Sequence, residues 1–413
     1  MIINGKIKLS GDKSISHRAL MIASISKGVS RISNLCNSQD VLSTINCLKK
    51  CKADIVQDGQ DYLVKSSSLS KPLNPLNCRN SGTTIRLMAG LLAGQGVDAE
   101  LYGDRSLMSR PMDRIIKPLN QMGVDIKFKD KKIVLKKSNI SPTSIKNKIP
   151  SAQVKSSIIL AALGSRGKIS LHESYNTRDH TERMLQFISR NSIDINDNKI
   201  VVKKGFLNSE NFIIPADISK ASFIIACACL APNSNLIIED VLFNPGRIGF
   251  IDSLNKMGAD IKIYNKKVRH NEPVVDIKVK YAGQLKNIHI SSSKIPSMID
   301  EIPILSVIGA LSKGVMKISG LKELRFKESD RISSILYNLK SMGADIISKE
   351  DSLMIKGRKY LYNTNIKTFY DHRIAMAFYV ASLFSKRKAI LDDIKCIDIS
   401  FPDFFDKIKE ISV

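Results

Sequence analysis

The sequence predicts an α/β protein of two domains, each assembled from three copies of one unit of about 70 residues. Three observations lead there. A short segment recurs: Leu48-Lys-Lys-Cys-Lys-Ala-Asp-Ile55 returns as Leu119-Asn-Gln-Met-Gly-Val-Asp-Ile126, weakly as Ile188-Ser-Arg-Asn-Ser-Ile-Asp-Ile195, then as Leu254-Asn-Lys-Met-Gly-Ala-Asp-Ile261 and Leu339-Lys-Ser-Met-Gly-Ala-Asp-Ile346, at steps of 71, 69, 66 and 85 residues. In each full copy an amphipathic helix ends, in most copies at Gly, and Asp-Ile begins an extended stretch. The chain of 413 residues is also too long for one small core, and at roughly 100–200 residues per domain it predicts two or three.

Taken in order, the unit is helix, strand, helix, strand, strand. Its closing hairpin is clearest in Ile126-Lys-Phe-Lys-Asp-Lys-Lys-Ile-Val-Leu135 and Ile195-Asn-Asp-Asn-Lys-Ile-Val-Val202, where a polar turn divides two strand-like stretches. A further step reaches Phe405-Asp-Lys-Ile-Lys-Glu-Ile411, a truncated sixth copy. The best boundary lies near Pro215-Ala216-Asp217, where the strand Phe212 to Ile214 meets a helix beginning at Asp217. A second falls just before Gly11. Residues 11–215 then form one domain and residues 1–10 plus 216–413 the other, joined by hinges at two crossovers.

Each unit's first helix opens with polar residues. Gly11-Asp12-Lys13 supplies a turn, and Ile15, Ala19 and Ile22 give a buried face to a helix starting near Ser14, with Lys13 just outside and Ser14 and Arg18 on one face. Asn80-Ser-Gly-Thr-Thr-Ile-Arg86 opens the next, with Asn80 or Ser81 as cap and Gly82 permitting close backbone approach. Ser151-Ala-Gln-Val-Lys155 opens a third, Asp300 begins one with Pro303 in its first turn, Lys327-Glu-Ser-Asp-Arg331 opens another, and Asp371-His-Arg373 the last. Singly, each also fits a plain surface cap, a local Glu328–Arg331 ion pair or a solvent-facing Gln153. Together they place helix-dipole ends, lysines and arginines on one edge of each domain. That suits a polyanion carrying phosphate and carboxylate groups, with Asp300 and Glu328 as candidates for proton transfer.

Composition narrows the alternatives. The net charge of +25 comes mainly from lysines spread along the chain, without aromatic-basic interleaving, so no nucleic-acid partner is expected. No leader pattern and no apolar run near the roughly 18 residues that span a bilayer is present, which predicts a soluble cytoplasmic protein. Seven scattered cysteines lack a Cys-x-x-Cys pair and predict reduced thiols without zinc. No phosphate loop, dinucleotide fingerprint or His-Glu-x-x-His spacing appears, and His17, His180 and His372 merely flank the motifs.

Gly-Asp-Lys13-Ser14-Ile-Ser-His-Arg18-Ala-Leu, Asn80-Ser-Gly82-Thr-Thr-Ile-Arg86, Arg110-Pro111-Met112, Ser151-Ala-Gln153-Val-Lys155, Arg178-Asp-His-Thr-Glu, Asp300-Glu-Ile-Pro, Lys327-Glu328-Ser-Asp-Arg331, Asp371-His-Arg373 and Phe401-Pro402 together resemble the 5-enolpyruvylshikimate-3-phosphate synthase family, in order along essentially the whole chain. The resemblance implies a two-lobed inside-out α/β fold, three βαβαββ units per lobe, with the site in the interdomain cleft. It implies transfer of an enolpyruvyl group from phosphoenolpyruvate to the 5-hydroxyl of 3-phosphoshikimate, with no cofactor or metal; a monomer is expected, though the sequence does not fix the oligomeric state. Lys13, Ser14, Arg18, Ser151, Gln153, Arg178, Asp300 and Lys327 would then hold 3-phosphoshikimate. Lys13, Gly82, Arg110, Gln153, Arg331 and Arg373 would hold phosphoenolpyruvate. Asp300, Glu328 and Lys13 would handle protons.

Two positions depart from related patterns. Ile399 stands where some relatives carry a lysine two residues before Phe-Pro, which removes one contact to phosphoenolpyruvate. The related UDP-N-acetylglucosamine enolpyruvyl transferases usually carry a cysteine five residues before the arginine of Arg-Pro, and this chain has Arg105 there. That enzyme is the alternative, and a non-catalytic basic binding protein on the same scaffold is a second. Gly82 leaves room that an alanine would fill, so glyphosate is expected to inhibit.

Overall fold

The recurring Leu-to-Ile segment folds as one helix stop. The backbone N–H of Ala53, Val124, Ala259 and Ala344 each donates to the carbonyl five residues back, of Leu48, Leu119, Leu254 and Leu339, at 2.8–3.1 Å. All four leucines are fully buried. This closure needs a left-handed residue after the helix. Gly123, Gly258 and Gly343 supply it with φ of 87°, 94° and 79°, while the first copy uses Lys52 at φ 69°. The weak copy differs, since helix His180–Ile188 ends with Ser189 in extended conformation. The computed structural model describes residues 1–189, 191–362, 364–385 and 390–412, so Arg190 of that copy lies outside the described residues.

The chain forms two compact units, the first comprising Gly11–Ile214 with Val268–Glu272, the second Met1–Ser10, Pro215–Lys267 and Pro273 onward. The first contains three four-stranded sheets of identical order. One runs Phe212–Ile213, Val29–Ser33, Asp61–Lys65, Asp54–Asp58; the next Leu76–Asn77, Ala99–Tyr102, Lys132–Lys136, Asp125–Lys129; the third Thr143–Asn147, Ile169–Glu173, Lys199–Val202, Ile193–Asn196. In each, the edge strand runs parallel to its neighbour and the remaining pairs are antiparallel. The Lys129–Lys132 turn carries Asp130 and Lys131 at positive φ, the geometry a two-residue hairpin demands.

The second unit repeats the order with Asn4–Lys8, Asn235–Leu242, Glu272–Lys280, Asp260–Arg269, and again with His289–Ile290, Val315–Ser319, Ser352–Lys356, Asp345–Lys349. Among the described residues, its last copy keeps only the parallel pair Asn365–Ile366 and Ile390–Leu391, followed by helix Phe404–Ile411. The chain's first strand, Asn4–Lys8, lies parallel to Asn235–Leu242, just as Phe212–Ile213 completes the sheet of Val29–Ser33.

The helices that open the copies are α1 (Lys13–Ala23), α2 (Gly82–Gly94), α3 (Ala152–Ala162), α4 (Ile218–Leu230), α5 (Ile302–Leu311) and α6 (His372–Leu383). They are buried along most of their length, whereas the copies' later helices show the one-sided burial of a surface helix. The hydrophobic interior of each unit is therefore built around helices, with sheets outside them. Close packing of α2 on α3 depends on Gly90, where a Cβ would come within 2.1 Å of the Ser157 carbonyl oxygen.

Several helix starts differ from the sequence expectation. α1 begins one residue early, with Lys13 inside it, because the Asp12 carboxylate accepts the Ile15 N–H and takes the cap. Asp300 stands two residues before α5, whose cap position is Glu301. Lys327 and Glu328 precede helix Arg331–Ser341, which Asp330 caps.

Candidate active site

In the first unit, three helix mouths are tied together by side chains. Lys13 donates to Asp40 Oδ2 at 2.7 Å, which fixes its ammonium at the opening of α1. Arg18, 2% exposed, donates from Nη1 to the Ser14 carbonyl at 2.8 Å, from Nε to Thr181 Oγ1 at 2.7 Å and from Nη2 to Ser156 Oγ at 2.7 Å. Ser14 and Arg18 are thus coupled through backbone, and the guanidinium bridges α1, α3 and helix His180–Ile188. Ser81 is the cap of α2, accepting the Thr84 N–H. Asn80 instead accepts from Arg110 Nη2 at 2.6 Å and donates to Asp104 at 2.6 Å.

Gly82 lies beneath two guanidinium groups: an added Cβ would stand 3.2 Å from Arg110 Nη1 and 3.4 Å from Arg86 Nη1. Gln153 does not simply face solvent, since its Oε1 accepts from Arg86 and its Nε2 donates to Thr83 Oγ1 at 3.0 Å. Ser151 occupies the cap position of α3 with no side-chain capping bond. Arg178 is half-buried in the turn before helix His180–Ile188. That turn is anchored by Lys155, whose buried Nζ meets Glu173 at 2.8 Å and Glu182 at 2.7 Å. Burial opposes the ammonium, yet the two carboxylates hold its pKa above the usual lysine range.

Beside it, ligand atoms of Asp179, His180 and Glu272 lie within 4.8 Å of one another, the one such metal-capable group among the described residues. Arg183 Nε is 2.8 Å from Asp179 and 3.9 Å from Glu272, so a guanidinium already balances those carboxylates.

In the second unit, three cations converge on Asp300. Its Oδ1 lies 3.4 Å from both Lys327 Nζ and Arg331 Nη1, its Oδ2 lies 3.8 Å from Arg373 Nη2, and its carbonyl accepts from Arg373 Nη1 at 3.1 Å. Arg331 is 1% exposed and is gripped by Asp371 through Nε at 2.7 Å and Nη2 at 3.2 Å, with Glu328 accepting from Nη2 at 2.7 Å. Burial disfavours this charge, but Asp371, Glu328 and Asp300 outweigh it and hold the guanidinium protonated. Burial likewise raises the Asp371 carboxyl, and the Arg331 charge overrides that to leave it below the ordinary range. Asp371 also caps α6 by accepting the Arg373 N–H, so one carboxylate places two arginines.

Among these holding residues, Asp40, Arg86 and Lys155 were given no role by the sequence, although the last two close quoted motifs, and Asp371 was read only as a helix start. Ile399 is half-buried and packs against the second unit's core, while Arg105 is exposed on the short helix Arg105–Met108.

Comparison with known proteins adds the chemical context. A family profile described as EPSP synthase (3-phosphoshikimate 1-carboxyvinyltransferase) matches residues 2–408. A 3-phosphoshikimate 1-carboxyvinyltransferase of Petrotoga mobilis is 43% identical over 426 residues, covering 99% of this chain and 98% of that one. Its counterpart from Thermodesulfovibrio yellowstonii is 43% identical over 413 residues, covering 98% and 96%. A solved EPSP synthase from Acinetobacter baumannii matches the fold with a TM-score of 0.88 at 33% identity, over 100% of this chain and 96% of the other.

Proposed function

The chain belongs to the EPSP synthase family, and on that premise we propose how its residues transfer the enolpyruvyl group of phosphoenolpyruvate to the 5-hydroxyl of 3-phosphoshikimate. It is a transferase of the shikimate pathway acting on small anionic substrates. The similar chains named above carry the shikimate name, so the nucleotide-sugar transferase is not favoured.

Lys13, Ser14, Arg18, Ser151, Gln153, Arg178, Asp300 and Lys327 hold 3-phosphoshikimate. Lys13, Gly82, Arg110, Gln153, Arg331 and Arg373 hold phosphoenolpyruvate. Addition forms a bond between the 5-oxygen and C2 of the enol phosphate, while the hydroxyl gives up a proton and C3 gains one. Elimination then breaks the bond from C2 to the phosphate oxygen and removes a proton from C3. Asp300 and Glu328 carry this proton traffic, assisted by Lys13. Arg110, Arg331 and Arg373 neutralise the carboxylate and the departing phosphate, where a planar two-point donor outperforms an ammonium.

The observation that carries these roles is the convergence of Lys327, Arg331 and Arg373 on one carboxylate, Asp300. The test is phosphate release from phosphoenolpyruvate, with 3-phosphoshikimate and then with UDP-N-acetylglucosamine as acceptor. Release with the first alone is expected; release only with the second, or with neither, sinks the proposal.

We also propose that the protein works as a cytoplasmic monomer. Its seven buried free cysteines fit a reducing compartment, and no helix among the described residues is long and apolar enough to cross a membrane. A single sedimenting species of 45.9 kDa is expected.

A further inference from the structure

Arg247, in the short turn Pro245–Arg247, has a guanidinium only 2% exposed. A charge so buried is costly unless paired and hydrogen-bonded, so its partners reveal what it supports. Its Nη2 donates to Ser219 Oγ at 2.9 Å and lies 3.5 Å from Asp217 Oδ1. Asp217 caps α4 by accepting the Ser219 N–H at 2.8 Å on that same oxygen. Ser219 is thereby fixed from two sides.

A hydroxyl has one proton to donate. With Arg247 donating to the Ser219 oxygen, the proton points onward to Glu301 Oε1. Glu301 is itself 2% exposed, and its Oε1 lies 3.7 Å from Arg373 Nη1. That same nitrogen donates to the carbonyl of Asp300. The chain of donors therefore runs from Arg247 through Ser219 to Glu301 Oε1, where it meets the Arg373 guanidinium as an ion pair. Its first three members are too buried to touch a substrate.

We propose that Arg247 is a positioning residue for Arg373, and that through Ser219 and Glu301 it sets the affinity for the carboxylate-bearing substrate, phosphoenolpyruvate. This rests on the reading that Arg373 holds that substrate. Without the Arg247 donor, the Ser219 hydroxyl turns freely and Glu301 loses its fixed partner. The carboxylate is then able to move onto Arg373 and compete with the substrate.

The test compares KM for each substrate, and kcat, in Ser219→Ala, Arg247→Met, Arg373→Lys and the Ser219→Ala/Arg373→Lys double variant. Arg247→Met removes a buried cation from beside the Asp217 carboxylate and is the variant that risks misfolding, so Ser219→Ala decides if it does. Ser219→Ala should raise KM for phosphoenolpyruvate about tenfold, with kcat and the KM for 3-phosphoshikimate changed less than about threefold. In the Arg373→Lys background the same change should add less than about twofold, because the residue it acts through is already altered. An unchanged KM for phosphoenolpyruvate in Ser219→Ala, an equal rise in both KM values, or full multiplication in the double variant would each overturn the inference. If Arg373→Lys alone leaves that KM unchanged, the role of Arg373 fails first and the inference falls with it.

Discussion

His17 offers a direct measure of how the α1 mouth is built. Its imidazole is fully buried, with Nδ1 2.7 Å from Thr44 Oγ1 and no hydrogen-bond partner at Nε2. Thr44 Oγ1 is 2.7 Å from Thr84 Oγ1, which is 2.8 Å from the cap oxygen of Ser81. A proton on Nδ1 lets each donor in this chain find an acceptor and leaves Nε2 as a bare lone pair, whereas the other tautomer buries an orphan N–H. Burial first, then the charges of Lys13 and Arg18, hold the folded-state pKa well below the ordinary histidine value. Above about pH 6.5 folded and unfolded states are both neutral and the group costs nothing. Below it the unfolded chain binds a proton that the folded one refuses, so stability falls as pH drops, by up to about 1.4 kcal/mol per unit. Between about pH 7.5 and about pH 5.5 the loss should be about 1.4 kcal/mol. His17→Asn, which keeps a donor near Nδ1 but does not titrate, should lose that much less over the same interval. Urea unfolding of both proteins at the two pH values gives the difference. Equal losses would refute the buried, neutral imidazole.

Three further outcomes are expected. Lys13→Ala should lower kcat/KM by about a thousandfold or more while circular dichroism and thermal midpoint stay close to those of the parent, because the proposed role of Lys13 is to hold both substrates; near-normal turnover would remove Lys13 from the mechanism. Glyphosate should inhibit the parent, and Gly82→Ala, whose Cβ would press on Arg110 from 3.2 Å, should raise KM for phosphoenolpyruvate about tenfold and weaken that inhibition; equal inhibition of both proteins would show that this contact does not shape the site. Lys52→Gly should stabilise the protein by about 1 kcal/mol in urea unfolding, because Lys52 holds a left-handed φ of 69° that glycine adopts without strain; a loss of stability would contradict the shared helix stop.

The repeated architecture was legible because it rests on local chemistry. A buried leucine, a left-handed residue and an Asp-Ile strand start are contiguous, so four copies of them stand out in the sequence and lead to the weaker fifth. Lys52 shows the limit: the first copy keeps the closure while lacking the glycine, and only the neighbouring residues betray it. The starts at Asp300 and Lys327 were misplaced because short 3-10 turns, Ser292–Ser297 and Lys322–Phe326, precede those helices and shift where regular hydrogen bonding begins. The pairings of the holding residues were illegible for a different reason. Arg86 reaches Gln153 across 67 residues and Ser219 reaches Glu301 across 82, separations fixed by packing of whole elements. No periodicity encodes such a pair.

The second unit's carboxylates explain why those pairs matter. An arginine awaiting an anionic substrate has two ways to lower its own energy: extend into water, or settle on a nearby carboxylate. Arg331 takes the second, bound at Nε and Nη2 by Asp371 and again at Nη2 by Glu328. A free arginine would lose about 2 kcal/mol of rotamer entropy on clamping a substrate. Here that ordering is complete before the substrate arrives, so more of the contact energy is available to the reaction. The cost is competition, because each holding carboxylate opposes an incoming anion. Asp371 limits it by staying fully buried and binding the far side of the guanidinium through Nε, and Glu301 by being anchored to Ser219. Asp300 and Glu328 are the partly exposed carboxylates of the group, at 14% and 19% side-chain exposure. Those two remain open to solvent, so the division between burial and exposure among these acids fits the proposed division between holding and reacting.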